Sequence, residues 1–399
     1  MRLLFVSPRF LFPADEGGKI RSSQILRGMK GGAFEITLAS PSQEGEAEAH
    51  AEPLAEVCDH FVSWPARKRG SIHSLTRLSG LLSSLPISVR DDRDARAQRS
   101  IAAELAKNFD VVVFDFVHSL VLSPKELSCA SVLFTHNVEF EIFERHAKVS
   151  SSRLARAVWS NQARKMRRLE QEALTRFDRI VAVSARDQEQ FAALAQSAQV
   201  EVIPTGVDLD FFEWCDPSAS ERVVFTGALD WPANEDGIDW LLREVWPQVE
   251  AARPQAELLV IGRNPSRKLL EAAAPRRARF SGWVEDVRQH VAGAGAFVIP
   301  LRVGGGTRIK GYEACAAGPA LVSTSIGVEG LSLEPEQHYL LADEAESFAQ
   351  ALIRLLSQPE ARSALSQRAR RHVEENCSFQ RVAERFEQIC QNAIESRNA

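Results

Sequence analysis

The sequence lacks any membrane-crossing stretch: in 399 residues no apolar run approaches the ~20 that a bilayer-spanning helix needs. The opening Met1-Arg2-Leu3-Leu4-Phe5-Val6-Ser7-Pro8 is too short in apolar residues for a secretory signal and reads as a first strand. Cysteine is sparse. Cys58, Cys129, Cys215, Cys315, Cys377 and Cys390 form no CxxC pair, and no histidine cluster accompanies them. That argues against a structural zinc site and suits a reducing, cytoplasmic setting. Positive charge is not in excess either. Lys and Arg number 48 against 53 Asp and Glu, a net charge of -5, so no global field points to nucleic acid. The acidic run Asp91-Asp92-Arg93-Asp94 is interleaved with arginine and does not end a strand; it reads as a solvated turn or helix start, and no metal or other cofactor is expected. Ser7, Ser184 and Cys315 have no base nearby in the sequence pattern, so none is assigned as a nucleophile. No short internal repeat is present.

What remains is an alternation of apolar strands and helices. A chain of 399 residues exceeds one core, so two domains are expected. Apolar runs at Leu3 to Val6, Ile36 to Ala39, Val111 to Phe114, Val132 to Phe134, Ile180 to Ser184 and Val200 to Ile203 have the continuous character of strands buried on both faces. A second series begins at Val223 and continues at Leu258, Ala278, Phe297 and Leu321, with helices between, the first of them spanning Asn234 to Ala252. Turn residues gather from Asp208 to Ser220 and mark the boundary. The pattern predicts an α/β fold of two tandem Rossmann-like, doubly wound domains with an interdomain cleft. The expected division is 1–207, 208–377 and a C-terminal helix over 378–399 placed to return to the first domain.

Two segments are locally basic. Arg67-Lys68-Arg69 precedes Leu75, Leu78, Leu81, Leu82 and Leu85, and a long helix from Ser152 to Phe177 carries Arg153, Arg156, Arg164, Lys165, Arg167 and Arg168. The first reads as a helix pair packed on its own domain or as an interfacial amphipathic segment, and the second as a solvated face or one that leans toward anionic lipid; either would allow peripheral contact at the inner face of a membrane.

One stretch organises the second half. The apolar run Phe297 to Leu301 leads into Gly304-Gly305-Gly306, a helix is expected to open with Thr307 as its N-cap, and Gly318-Pro319 closes it. Arg308 and Lys310 then fall in the first helical turn, where the helix dipole disfavours cations. Backbone N–H groups at such an end already attract anions, so the added cations point to a phosphate or diphosphate in the loop. The alternative is that both side chains extend into water.

In order along the chain come Asp230-Trp231-Pro232-Ala233-Asn234, Gly262, Ser281-Gly282-Trp283-Val284-Glu285-Asp286-Val287, the glycine loop with Glu313-Ala314, and Val322-Ser323-Thr324-Ser325-Ile326-Gly327-Val328-Glu329-Gly330-Leu331. Together with Gly17-Gly18, Thr135-His136-Asn137, Val181-Ala182-Val183-Ser184 and Ile203-Pro204-Thr205-Gly206-Val207-Asp208, they resemble the retaining nucleotide-sugar glycosyltransferases of the GT-B fold, the family four (group 1) type. The resemblance covers nearly the whole chain. It implies a metal-independent transferase that takes a nucleotide-sugar donor on the second domain and a saccharide, lipid-linked or small-molecule acceptor on the first.

By this resemblance Glu313 holds the ribose hydroxyls, although it could instead be a helix residue paired with Lys310. Trp283 and Val284 lie at the base-binding strand end, although Trp283 could be a core residue. Gly305, Gly306, Thr307 and Glu329 complete the donor side. Gly17 and Gly18 either approach the donor or acceptor through bare backbone or form a plain turn. His136 faces the reaction site or is a satisfied strand-end histidine.

Two departures stand out. Relatives often carry a glutamate eight residues before Glu313, and here that position is Gly305. The Arg and Lys that many relatives place after the first strand of the second domain are missing from Gly227-Ala228-Leu229-Asp230-Trp231-Pro232, which leaves their work to Arg308 and Lys310. A nucleotide-sugar epimerase of the same fold, and a degenerate nucleotide-sugar-binding protein, are the competing readings.

Overall fold

The computed structural model describes residues 1–66, 80–150, 152–304 and 308–398. The basic run at Arg67, the leucines at 75 and 78, and Gly305, Gly306 and Thr307 lie outside the described residues. The chain forms two units, Met1–Gly206 with Gln380–Ala399, and Val207–Phe379. Each is built around one parallel sheet with helices on both faces.

In the first unit the strands are β1 (Arg2–Val6), β2 (Glu35–Ser42), β3 (His60–Pro65), β4 (Val111–Asp115), β5 (Ala130–Phe134), β6 (Arg179–Ala182) and β7 (Val200–Val202). They lie in the order β3-β2-β1-β4-β5-β6-β7. Alternation along β1 explains the layering: Leu3 and Phe5 enter one core, Leu4 and Val6 the other. The C-terminal helix Phe379–Asn398 contributes Phe386, Ile389, Cys390 and Ala393 to the first of these cores, and Phe386 meets Phe134 edge-on at 5.2 Å.

The second unit holds β8 (Arg222–Thr226), β9 (Glu257–Ile261), β10 (Ala278–Gly282), β11 (Ala296–Ile299), β12 (Ala320–Ser323) and β13 (Tyr339–Leu341), in the order β10-β9-β8-β11-β12-β13. In both sheets the order reverses beside the first strand: between β1 and β4, and between β8 and β11. At such a switch the connections leave to opposite sides and a crevice opens beyond the strand ends.

Several elements differ from the sequence reading. The helix expected over Asn234 to Ala252 is interrupted: Pro232–Trp240 and Trp246–Ala252 are α-helical, but Leu241–Val245 is a π-turn. Pro247 has no N–H to give the carbonyl four residues back, and the wider turn lets the Trp246 N–H bond Leu241 instead. The loop helix starts at Ile309, not Thr307, with Arg308 in the N-cap position and no side-chain cap. The helix Glu139–Val149 has no counterpart in the sequence reading. Its N-cap, Val138, has no capping side chain; instead Glu170, from the following helix Arg153–Arg176, accepts from the Glu139 and Phe140 N–H groups at 2.8 and 2.9 Å. The acidic run divides its roles: Asp94 caps the helix Ala95–Leu105, and Asp92 bonds the buried His118 at 2.7 Å.

Phe386 is fully buried between the C-terminal helix and the first sheet. Phe386→Ala is expected to destabilise that unit by about 3–5 kcal/mol, read as a lower urea midpoint for its unfolding transition.

Candidate functional site

At the switch point of the second sheet, β8 and β11 pair only as far as Val224 and Phe297. Beyond that the strands part, and the Lys310 side chain lies across the opening. Its Nζ donates to the Thr226 carbonyl at 3.0 Å and to Asn234 Oδ1 at 3.4 Å, and stands 4.2 Å above the Phe225 ring. Asn234 is itself buried and fixed by donating to the Ala228 carbonyl at 2.8 Å. The loop backbone must come close here. A Cβ on Gly227, at φ 153°, would lie 2.8 Å from Asn234 Nδ2 and 3.2 Å from Lys310 Nζ.

Arg308 precedes the helix and is buried with 7% exposure, its guanidinium 5.1 Å from the Trp231 ring centre. Glu313 follows Lys310 on the same helix, Ile309–Ala317. Burial, and then the neighbouring Arg308, pull the Lys310 ammonium down to about 7. Burial pushes the Glu313 carboxyl up to about 7, opposed by Lys310. The arrangement thus gathers two cationic groups and one carboxyl, all poorly solvated, at the ligand-binding edge of a parallel sheet.

Trp283 and Val284 lie past the end of β10, two places from β8 in the sheet. Trp283 is 73% exposed, so it is not a core residue. Val284 borders a pocket of about 520 Å³ with Phe211, Glu285, Asp286, Arg288, Gln289 and His290. Glu329 follows the short turn Ile326–Val328 beyond β12. That turn needs its glycine: a Cβ on Gly327 would sit 2.3 Å from Ser323 Oγ and 2.5 Å from the Ile299 carbonyl oxygen.

The first sheet's switch point carries a buried polar network. Asp115, ending β4, accepts from Ser7 Oγ at 2.9 Å and from Ser22 Oγ at 3.0 Å, and its Oδ1 is 2.7 Å from His136 Nε2. On the other side of the ring, Arg21 NH1 approaches Nδ1 at 3.1 Å, while Arg21 Nε and NH2 donate to Thr205 Oγ1. These contacts fix the tautomer. A guanidinium only donates, so Nδ1 accepts, and Nε2 carries the proton and gives it to Asp115. Burial, with Arg21 assisting, lowers the His136 pKa below the ordinary histidine value, while Asp115 opposes the shift. His136 is therefore a neutral imidazole, and either ring nitrogen must leave its partner to reach a ligand.

Gly17 and Gly18 open the helix Gly17–Met29, and a Cβ on Gly18 would stand 3.9 Å from the His136 ring, an ordinary contact. Sequence reasoning missed Arg21, Ser22 and Asp115. The signal available was a carboxylate ending an otherwise apolar strand, Val111-Val112-Val113-Phe114-Asp115. Among the described residues no group of His, Cys, Asp and Glu side chains is placed to hold a metal ion.

Two family models match successive parts of the chain: Glycosyltransferase Family 4 over residues 23–211 and Glycosyl transferases group 1 over residues 220–358. Sucrose-phosphate synthase from Thermosynechococcus elongatus superposes with a TM-score of 0.70 at 16% identity, covering 99% of this chain and all of that one. HepE of Anabaena, solved with UDP-glucose, gives 0.64 at 12% identity over 98% of this chain and all of its own. A GDP-mannose-dependent monoacylated α-(1-6)-phosphatidylinositol monomannoside mannosyltransferase of Corynebacterium glutamicum is 29% identical over 50% of this chain and 58% of its own length. The two doubly wound units are thus those of a GT-B glycosyltransferase. The chain belongs to the group 1, family 4 type of these enzymes.

The Lys310 ammonium, held near 7 against 10.5 in an unfolded chain, makes wild-type stability rise with pH, because above pH 7 the unfolded chain binds the extra proton. Lys310→Met lacks this gain. Its stability relative to wild type is therefore expected to fall between about pH 6 and pH 9, seen by comparing melting temperatures of the two nucleotide-free proteins.

Proposed function

We propose that this glycosyltransferase moves a sugar from a nucleotide-sugar donor to a saccharide or lipid-linked acceptor, with the anomeric configuration retained and without a metal ion. The reading is carried by one observation: the half-buried Lys310 ammonium lies beside Arg308 at the switch point of the second sheet, with Glu313 next on the same helix.

A nucleoside diphosphate is the group that best suits these side chains. Arg308 can grip two phosphate oxygens in a fork, and Lys310 supplies a point charge. Negative charge grows on the diphosphate as the sugar–oxygen bond breaks, and cations already held in a poorly solvated site stabilise it with little reorganisation. In this reading they supply the positive charge absent from the Gly227 to Pro232 loop. Glu313 accepts from the ribose hydroxyls, and Trp283 and Val284 border the base. Glu329 lies on the sugar side, where Gly305 replaces the carboxylate of many relatives. The solved HepE complex with UDP-glucose supports a nucleotide-sugar donor, and the mannosyltransferase relative supports a glycolipid acceptor. On the first unit, the edge formed by Gly17, Gly18 and His136 receives the acceptor.

Arg308→Ala, Lys310→Ala and Glu313→Gln are each expected to lower donor turnover by about 100-fold or more while the protein still folds. The assay screens UDP-, GDP-, ADP- and TDP-sugars with candidate acceptors, uses mass spectrometry for products and assigns the anomeric configuration by NMR. Wild-type turnover in all three variants would refute the assignment, and an inverted anomer would refute retention.

A second outcome follows from burial of the lysine. Diphosphate binding should restore the Lys310 proton, so binding at about pH 8 is expected to take up protons. Calorimetry in buffers of different ionisation enthalpy reads this directly, and Lys310→Ala should abolish most of the uptake.

A further inference from the structure

The helices Glu139–Val149 and Arg153–Arg176 form a hairpin whose far half does little to build the fold. On that face of the first sheet, the core takes Val138 and Phe140 from the start of the hairpin and Met166, Leu169, Ala173 and Leu174 from its return, with Phe143 packed at its margin. Among the described residues, nothing between Val149 and Trp159 joins that core. The two helices are level where Glu170 bonds the Glu139 and Phe140 N–H groups. From there the outgoing helix runs on for about 15 Å and the returning one begins about 26 Å away, at 1.5 Å per residue. The hairpin therefore stands off the sheet, and its root lies five residues past the end of β5, beside His136.

Two features of the tip do not suit a merely solvated surface. From Arg145 to Arg168 the sequence has eight Lys and Arg and no Asp or Glu, in a chain of net charge -5. At the end of this cationic segment, two aliphatic side chains face water: Val149 is 81% exposed and Leu154 76%. Exposed cations encircle them, Lys148 beside Val149, and Arg153 and Arg156 around Leu154. Lys148 and Arg164 also line a groove of about 340 Å³ between the helices, in which Glu144 is paired with Arg167 at 3.0 Å.

We propose that this tip docks on an anionic lipid bilayer, with Val149 and Leu154 entering the headgroup layer, Lys148, Arg153 and Arg156 among the lipid phosphates, and the groove taking a phosphate headgroup. The pairing of features selects the partner. Basic side chains are drawn to any polyanion, but burial of two aliphatic side chains at the centre of the patch is rewarded by a lipid interface and not by a hydrated phosphate backbone. A nucleic-acid surface would instead interleave aromatic side chains for stacking, and between Arg145 and Arg168 the aromatic rings are Trp159 and His146, which stack on each other, with Trp159 also tilted against Phe143. The docked tip would hold the ligand edge of the first unit within about 15–26 Å of the bilayer, in reach of a lipid-linked acceptor.

The test needs no sugar transfer, so its outcome is independent of the donor and acceptor assignment. The full chain is mixed with phosphatidylcholine vesicles with and without phosphatidylglycerol, and bound protein is separated by flotation. Binding is expected only with phosphatidylglycerol and should weaken as salt is raised. The double substitution V149D/L154D, and separately K148E/R153E, should each reduce it by at least roughly tenfold, with unchanged melting temperatures because these side chains are exposed. Failure of the wild-type protein to bind anionic vesicles would overturn the proposal. So would wild-type binding in V149D/L154D, or binding to heparin or DNA in place of vesicles, which would assign the surface to a soluble polyanion.

Discussion

A parallel sheet covered on both faces leaves its polar groups one place to gather, the edge where the strands end. The candidate site of this protein follows from that constraint. Along β1, β4, β8 and β11 nearly every side chain is apolar and buried, so the first residues able to carry chemistry come just beyond them. At the second sheet's switch point the residue that fills the gap is Lys310. Its ammonium has exchanged water for one main-chain carbonyl, one amide oxygen and an aromatic face. Those partners do not offset the full loss of hydration, which is why the group is drawn toward neutrality. A site held in this state favours an incoming anion, because the anion provides what burial removed.

The first sheet meets the same geometric problem with a closed circuit. Asp115 and Arg21 stand on opposite sides of His136, and each satisfies one ring nitrogen. Carboxylate and guanidinium balance one another through a neutral ring, so the network carries no net charge into the interior. Truncating Arg21 would leave a buried carboxylate without its counter-charge, and truncating Asp115 would strand the guanidinium, so each end holds the other in place. The second sheet's cluster is unbalanced by comparison: two cations face one carboxyl whose own proton is retained by burial until about neutral pH. The contrast suits the proposed roles, with charge stored at the proposed diphosphate site and neutrality at the edge proposed for the acceptor.

The strand pattern and the two-sheet architecture were legible because buried parallel strands are written as continuous apolar runs, and β1, β4, β8 and β11 are such runs. Arg308, Lys310 and Glu313 could be singled out as candidates because they lie together on one short segment. What escaped detection depends on contacts far apart in sequence. Arg21 and Thr205 are 184 residues apart, and Ser7 and Asp115 are 108 apart. No local spacing rule joins them. The π-turn at Leu241–Val245 was missed although its cause, Pro247, is visible, because the apolar periodicity on either side runs on through it. β13 escaped because three residues are too few to show a period.

The helix Glu139–Val149 is the most instructive omission. Nothing at Val138 announces a helix start, because its first N–H groups are answered by Glu170, thirty and more residues later. Burial raises that carboxyl to about 8, even as the two N–H bonds pull it down. The cap is thus a tertiary contact held at the expense of solvation. Such a contact fixes the root of the hairpin to the same strand end that carries His136, while the exposed far end needs no packing to keep its direction. That buried carboxyl orients a hairpin whose root joins the core through Val138, Phe140, Met166 and Leu169, while its basic tip adds nothing to that core. In the proposed function, the tip is then held a fixed distance beyond the edge that receives the acceptor.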